Sequence, residues 1–240
     1  MNITVVNGTE QKGCTFAMKE EFMSAMGGGH SITEYYLPRD CPVFCSGCKA
    51  CFFKEISVCP HSQYTAPIWE SILTADLLVF TSPTYVFHVT AQMKALLDHY
   101  GTKWMVHSPE KPMFSKQAVI ITNAIGQGMG KTAHDIKDSL DFWGVARTYV
   151  IKKALMQAHW EGVSDKTKSA VKGRCAKIAA KVLAKGRVKP RLKIKVLFRI
   201  MKMAQIMIDK SERKAGREQT KDYLHWKENG WLDGKKPWTP

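Results

Sequence analysis

Nothing in the 240-residue chain approaches the roughly 20 uncharged apolar residues in a row that a membrane-spanning helix requires. Residues 1–8 carry neither a basic segment nor a cleavage signal and read as a buried strand, so the expected compartment is the cytoplasm. Also missing are the Gly-x-Gly-x-x-Gly turn of dinucleotide folds and the Gly-Lys-Ser/Thr of P-loops, which excludes two common routes to nucleotide binding. There is no internal repeat and no low-complexity tract. Carboxylates are absent from one long stretch: residues 166–202 hold 14 Lys or Arg, and the next acid is Asp209. The formal charge of +15 therefore belongs to a C-terminal segment, and the rest of the chain is near neutral. No acid–base dyad stands out; His61 and His88 flank the region of interest, each alone in the sequence.

What is present in excess is cysteine in one place: five of the seven lie between positions 41 and 59. In a reducing compartment, clustered thiols are more often metal or redox sites than disulfides. Cys45, Cys48 and Cys51 put three thiolates on one tight turn, a spacing that wraps a cubane cluster. Cys59 follows after seven residues and is itself followed by Pro60, as in ferredoxin-type runs. Zinc held through Cys-x2-Cys pairs is one alternative. A set of free or redox-active thiols around a binding loop is the other. Cys41 reads as a spare, and Cys14 and Cys175 as structural.

Strand and helix signals alternate along the first two-thirds of the chain. Short apolar, β-branched runs at residues 3–6, 31–37, 76–81, 117–122 and 148–151 predict strands, and 76–81 is apolar enough for a central parallel strand covered on both faces. Helical periodicity covers 16–26, 66–73, 91–99 and 131–143. This order predicts a doubly wound α/β fold around a parallel sheet of about five strands. After Gly162 the character changes: 166–185 and 192–208 predict two cationic amphipathic helices, and an aromatic tail (Tyr223, Trp226, Trp231, Trp238) is expected to pack back across the domain.

Open parallel sheets bind ligands beyond the carboxyl ends of their strands. Three loops there carry unusual residues. Residues 7–15 offer the hydroxyls of Thr9 and Thr15 with helix-terminal amides, a setting that suits a phosphate or an ordinary capped turn. In residues 81–87, Pro83 stiffens the turn, and Tyr85 and Phe87 can flank a flat heteroaromatic or simply pack. Residues 123–130 hold three glycines, which let the backbone approach a ligand or make a surface loop flexible. The cysteine segment follows the second strand, so its thiols are expected on the same edge, facing the ligand that these loops would hold.

These residues resemble the NADPH-dependent FMN reductase branch of the flavodoxin-like superfamily, and within it the iron–sulfur flavoproteins, over roughly residues 1–155. Asn7-Gly8-Thr9 with Gly13-Cys14-Thr15 is similar to that family's Gly-Ser-Pro-Arg…Asn-Thr phosphate loop, with Gln11 where an arginine is common and Cys14 where a small polar residue is common. Ser82-Pro83-Thr84-Tyr85, followed by Val89-Thr90-Ala91-Gln92-Met93-Lys94 and Leu97-Asp98, is similar to the Ser-Pro-x-Tyr…Ser-x-x-x-Lys…Asp stretch that holds the isoalloxazine. The cysteine run fits the compact four-cysteine motif of the iron–sulfur members.

The resemblance implies a flavodoxin-like FMN-binding domain over 1–160 and a basic helical C-terminal extension over 161–240 packed on it. It implies FMN held by Thr9, Gln11, Thr15, Ser82, Pro83, Thr84, Tyr85, Phe87, Asn123, Ala124, Gly126 and Gly128. A [4Fe-4S] cluster on Cys45, Cys48, Cys51 and Cys59 is the further implication. The expected activity is FMN-dependent oxidoreduction, with NAD(P)H or ferredoxin as electron donor, in a homodimer or tetramer. The alternative is a non-enzymatic flavin electron carrier or redox sensor, its basic C-terminus on an anionic membrane or, less in keeping with the pattern, on nucleic acid.

Overall fold

The computed structural model describes residues 1–239. Its centre is one parallel sheet of five strands, β1 (Asn2–Asn7), β2 (Ser31–Tyr36), β3 (Leu77–Pro83), β4 (Gln117–Ala124) and β5 (Arg147–Ala154), in the order β2-β1-β3-β4-β5. Every neighbouring pair is parallel, with Val5 opposite both Glu34 and Val79, and Ile121 opposite both Thr81 and Ile151. This is the flavodoxin-like order, in which the chain winds one way from β1 to β2 and the other way from β3 to β5. The change of direction opens a crevice between the carboxyl ends of β1 and β3.

Side chains alternate across each strand, and both faces are covered. Leu78, Phe80, Ala118 and Ile120 point to one face, with Ile68, Trp69 and Ile72 of α3 (Ser62–Thr74), Met93, Leu96 and Leu97 of α4 (Ala91–His99), and Ile136 and Leu140 of α5 (Met129–Phe142). Ile3, Val5, Leu77, Val79, Val119 and Ile121 point to the other, with Met18, Phe22 and Met26 of α1 (Cys14–Met26). Val171, Cys175, Ile178, Ala179 and Val182 of α6 (Asp165–Leu183) complete that second layer. The change of composition at Gly162 is thus not a packing boundary: α6 belongs to the sheet's own core.

What stands apart is the region beyond Gly186. Ile194 and Phe198 of α7 (Leu192–Lys214) join Trp226 of α8 (Lys221–Glu228), Trp231, Phe114 and Met105 in a third cluster. Phe198 stacks on Trp226 with centroids 4.8 Å apart, Trp226 Nε1–H donates to the His107 carbonyl at 3.0 Å and Trp231 meets Phe114, so the aromatic tail does pack back on the body. The remaining helix, α2 (Ala50–Phe53), is a single turn inside the cysteine segment. Among the described residues no helix is long and apolar enough to cross a membrane.

Candidate functional site

The loops after β1 and β3 are bound to one another at the crevice. Gly8 donates its N–H to the Thr81 carbonyl at 2.7 Å, and a Cβ on Gly8 would lie 2.8 Å from that oxygen. Thr90 caps α4 by accepting from the Met93 N–H (3.2 Å) and donates its hydroxyl to the Gly8 carbonyl at 2.6 Å. Ser82 is fully buried, donating to the Pro83 carbonyl (2.9 Å) and accepting from the Thr90 N–H (3.1 Å). Its side chain braces the loop from inside. Thr90 lies in the stretch that resembles the family's flavin-holding segment, and a Thr three residues before Met93 at a helix start is a capping signal, but its bond to Gly8 joins residues 82 apart and no local pattern marks it.

The N-terminus of α1 opens into this crevice. Gly13 occupies its cap position, no side chain caps it, and no acid lies in its first turn. Its leading amides therefore keep donor capacity for an anion, as helix N-termini do. Thr15 is buried and donates its hydroxyl to the Asn123 side-chain oxygen, tying the start of α1 to the end of β4. Thr9 accepts from the Gln11 N–H at 3.1 Å, folding the loop into a hydroxyl-stabilised turn with Gln11 exposed.

Residues 84–88 form a tight turn that stands on the β4–α5 loop. Tyr85 and His88 exchange two backbone hydrogen bonds (2.9 and 3.0 Å), with Val86 (φ 47°) and Phe87 (φ 68°) both left-handed between them. A β-branched and an aromatic residue in that region cost about 1–3 kcal/mol each, and such strain persists where the surroundings impose it. Tyr85 and Phe87 are half-exposed, and Val86 is 90% exposed. The turn is held by Thr84, whose N–H donates to the Asn123 carbonyl (2.9 Å) and whose hydroxyl accepts from Thr132 (2.9 Å). Gly128 (φ 101°) underlies it: a Cβ there would lie 2.9 Å from both Phe87 Cδ1 and Thr84 Cγ2. Gly126 is exposed, and a Cβ there would meet open space, so of these two glycines only Gly128 is sterically required. Ala124 is buried, and its carbonyl accepts from the Leu155 N–H (3.0 Å).

His88 is not alone in space. Its Nδ1 lies 3.0 Å from Asp135 Oδ2, which also accepts from the Val89 N–H at 3.2 Å. Asp135 is 47 residues away on α5, beyond what local spacing reveals.

The cysteine segment is assembled differently. Cys45 and Cys48 are exposed, Cys51 and Cys59 partly buried, and Cys41 buried. Burial pushes the Cys51 thiol up, and nearby Cys59, Cys45 and Cys48 push it further, so the four share one locality. Even so, among the described residues no three His, Cys, Asp or Glu side chains come together as metal ligands. The segment's contacts run away from the crevice, toward residues 101–107 and α8. Phe52 meets His107 edge-on at 4.8 Å, and Lys221 donates to the Cys51 carbonyl at 3.4 Å. Two cavities flank Lys221, one of about 390 Å³ reached by Cys51 and one of about 570 Å³ walled by Phe52, Phe53 and Arg217. The apolar side of this turn is thus anchored on residues 101–107, with the Phe52 ring against His107 and Gly101.

The family model for NADPH-dependent FMN reductase matches residues 1–161. The chain belongs to that family. With the family comes its activity, FMN-dependent oxidoreduction with NAD(P)H. Among solved structures it is similar to an FMN-dependent NADH-azoreductase from Bacillus anthracis determined in complex with FMN (12% identity, TM-score 0.56, covering 76% of this chain and 99% of that one). It is also similar to an NADH:FMN oxidoreductase in its apo form (14% identity, TM-score 0.53, 78% and 94%). A flavone reductase matches along the full length of both chains (12% identity, TM-score 0.59), C-terminal helices included. At these identities the likenesses establish the fold. No curated protein matches the sequence.

Proposed function

We propose that FMN lies across the three loops of the β1/β3 crevice, its phosphate at the start of α1 and its ring system against the turn at Tyr85 and Phe87. The observation that carries this reading is the uncapped α1 N-terminus, fixed to β4 through Thr15 and Asn123 beside two half-exposed aromatic rings. When bound, the cofactor supplies hydride acceptance from a reduced nicotinamide and delivery of electrons onward. The chain's own residues bind and orient. Thr9, Gln11 and the leading amides of α1 receive the phosphate, helped by the positive end of the helix. Pro83, Thr84, Tyr85 and Phe87, with Asn123, Ala124, Gly126 and Gly128 of the loop beneath them, line the ring. Ser82 holds the loop from behind. Asp135 fixes Nδ1 of His88, leaving Nε2 at the rim to carry a proton to a reduced acceptor.

NAD(P)H is the proposed donor in preference to ferredoxin, following the family's own description. The spacing of Cys45, Cys48, Cys51 and Cys59 supports a [4Fe-4S] cluster, but the folded thiols do not meet as ligands, and no electron step is routed through them. Titration of the apoprotein with FMN, followed by quenching of flavin fluorescence, tests the central reading: stoichiometric binding weakened by Thr15→Val supports it, and no binding refutes it. Iron and acid-labile sulfide analysis of anaerobically purified protein tests the cluster separately.

A further inference from the structure

The helix α7 is docked on one side and bare on the other. Ile194, Phe198, Gln205 and Asp209 are buried against the body. At roughly 100° per residue, Leu192, Val196, Ile200, Met203 and Met207 fall within about 80° of arc on the opposite side. All five are exposed, Leu192 by 74%, Met203 by 63% and Met207 by 69%. An apolar stripe of this length, pointing directly away from the core of a folded chain, marks an interaction surface.

The charges around the stripe decide its partner. Lys195, Arg199 and Lys202 border it along one side and make no ion pair among the described residues. Lys193 borders the other side, paired with Asp141 at 2.7 Å. No carboxylate occurs from residue 166 to 208, and the first beyond it, Asp209, is buried on the docked face. A second copy of this chain packing stripe to stripe would bring these cations against their own equivalents with no free acid between them, an arrangement that like-charge repulsion opposes. A surface that is apolar within and anionic outside matches both parts of the pattern. We infer that α7 is an interfacial helix that seats the folded protein on an anionic lipid surface, with Leu192, Val196, Ile200, Met203 and Met207 among the acyl chains and Lys195, Arg199 and Lys202 among the headgroups. The helix is already folded and anchored by Phe198, so association needs no rearrangement of the body. The inference is independent of where FMN binds.

Vesicle flotation of the full-length protein tests it, with vesicles of phosphatidylcholine alone and of phosphatidylcholine mixed with phosphatidylglycerol. The expected result is flotation with the anionic vesicles only, weakened by high salt, and reduced by at least about tenfold in the double variant Ile200→Asp, Met203→Asp, whose circular dichroism stays unchanged. Lys195→Glu with Arg199→Glu should reduce it by a similar factor. Absence of flotation at low salt overturns the inference, as does undiminished flotation of the stripe variant. So does a native dimer, seen by light scattering, that the stripe variant converts to monomer, or preferential binding of a DNA duplex that the stripe variant retains.

Discussion

The loops after β1, β3 and β4 and the segment after β2 leave the same edge of one sheet, yet they are built in opposite ways. The first three are cross-braced: Gly8 to Thr81, Thr90 to Gly8, Thr15 to Asn123, Thr84 to Asn123 and to Thr132. Polar side chains there are buried and satisfied by neighbouring loops, so the amides and rings they carry are fixed in advance. In the cysteine segment the backbone bonds are local, such as Lys54 to Ala50 and Cys59 to Ile56, and Cys45 and Cys48 stand in solvent. A site that binds by preset dipoles must be rigid before its ligand arrives.

That contrast can be broken most directly at Gly8. Gly8→Val drives a side chain into the Thr81 carbonyl, and we expect about 3 kcal/mol of lost stability in urea unfolding, with loss of FMN binding. Retention of both would show that the braces are slack. Next in size, Thr15→Val removes the tie to Asn123 and should weaken FMN binding about tenfold in a fluorescence titration. His88→Gln should lower turnover about tenfold while leaving FMN affinity unchanged; an equal fall in affinity would mean that His88 serves the turn and moves no proton. The smallest effects are expected in the cysteine segment. Cys45→Ser and Cys48→Ser should each change stability by less than about 0.5 kcal/mol, and a larger loss would reveal a hidden structural role.

Alkylation sharpens the same comparison. The thiolate is the attacking species, so a raised pKa slows reaction at any given pH. Cys45 and Cys48 should label first at mildly alkaline pH. Cys51, pushed up by burial and by its neighbours, should follow. Cys175, pushed up to about 12 by burial, should stay unmodified until the protein is denatured. Mass spectrometry of peptides after timed iodoacetamide treatment gives the order.

Much of the fold is legible in the sequence because β3 and β4 are continuous apolar runs that only a sheet covered on both faces can bury. Edges were less so. The strand expected at 148–151 extends over Arg147–Ala154, because backbone pairing with β4 continues where the side chains turn polar. The helix expected to end at 208 runs on to Lys214 through polar residues, Asp209 buried on the docked face and those after it toward solvent, none of which breaks a helix. The three loops of the candidate site were visible as departures from ordinary strand-to-helix turns, but their braces were not. Thr132 and Asp135 reach Thr84 and His88 across 48 and 47 residues, and no local pattern marks such pairs. The cysteine spacing was legible too, yet where the segment turns depends on Phe52 finding His107, a contact between distant parts of the chain.

The placement of α6 in the sheet's second layer has a consequence for how the protein is made. The family match ends at residue 161, but Met18, Phe22 and the inner faces of β1, β3 and β4 are roofed by Val171, Cys175, Ile178 and Val182. During synthesis the sheet can be paired as soon as β5 has emerged, while the part of this face that α1 leaves uncovered stays open until the ribosome has released residues through Leu183. For those roughly thirty residues the nascent chain presents part of an apolar sheet face to the cell. Apolar surface exposed in that interval is open to aggregation, as transiently uncovered core faces are.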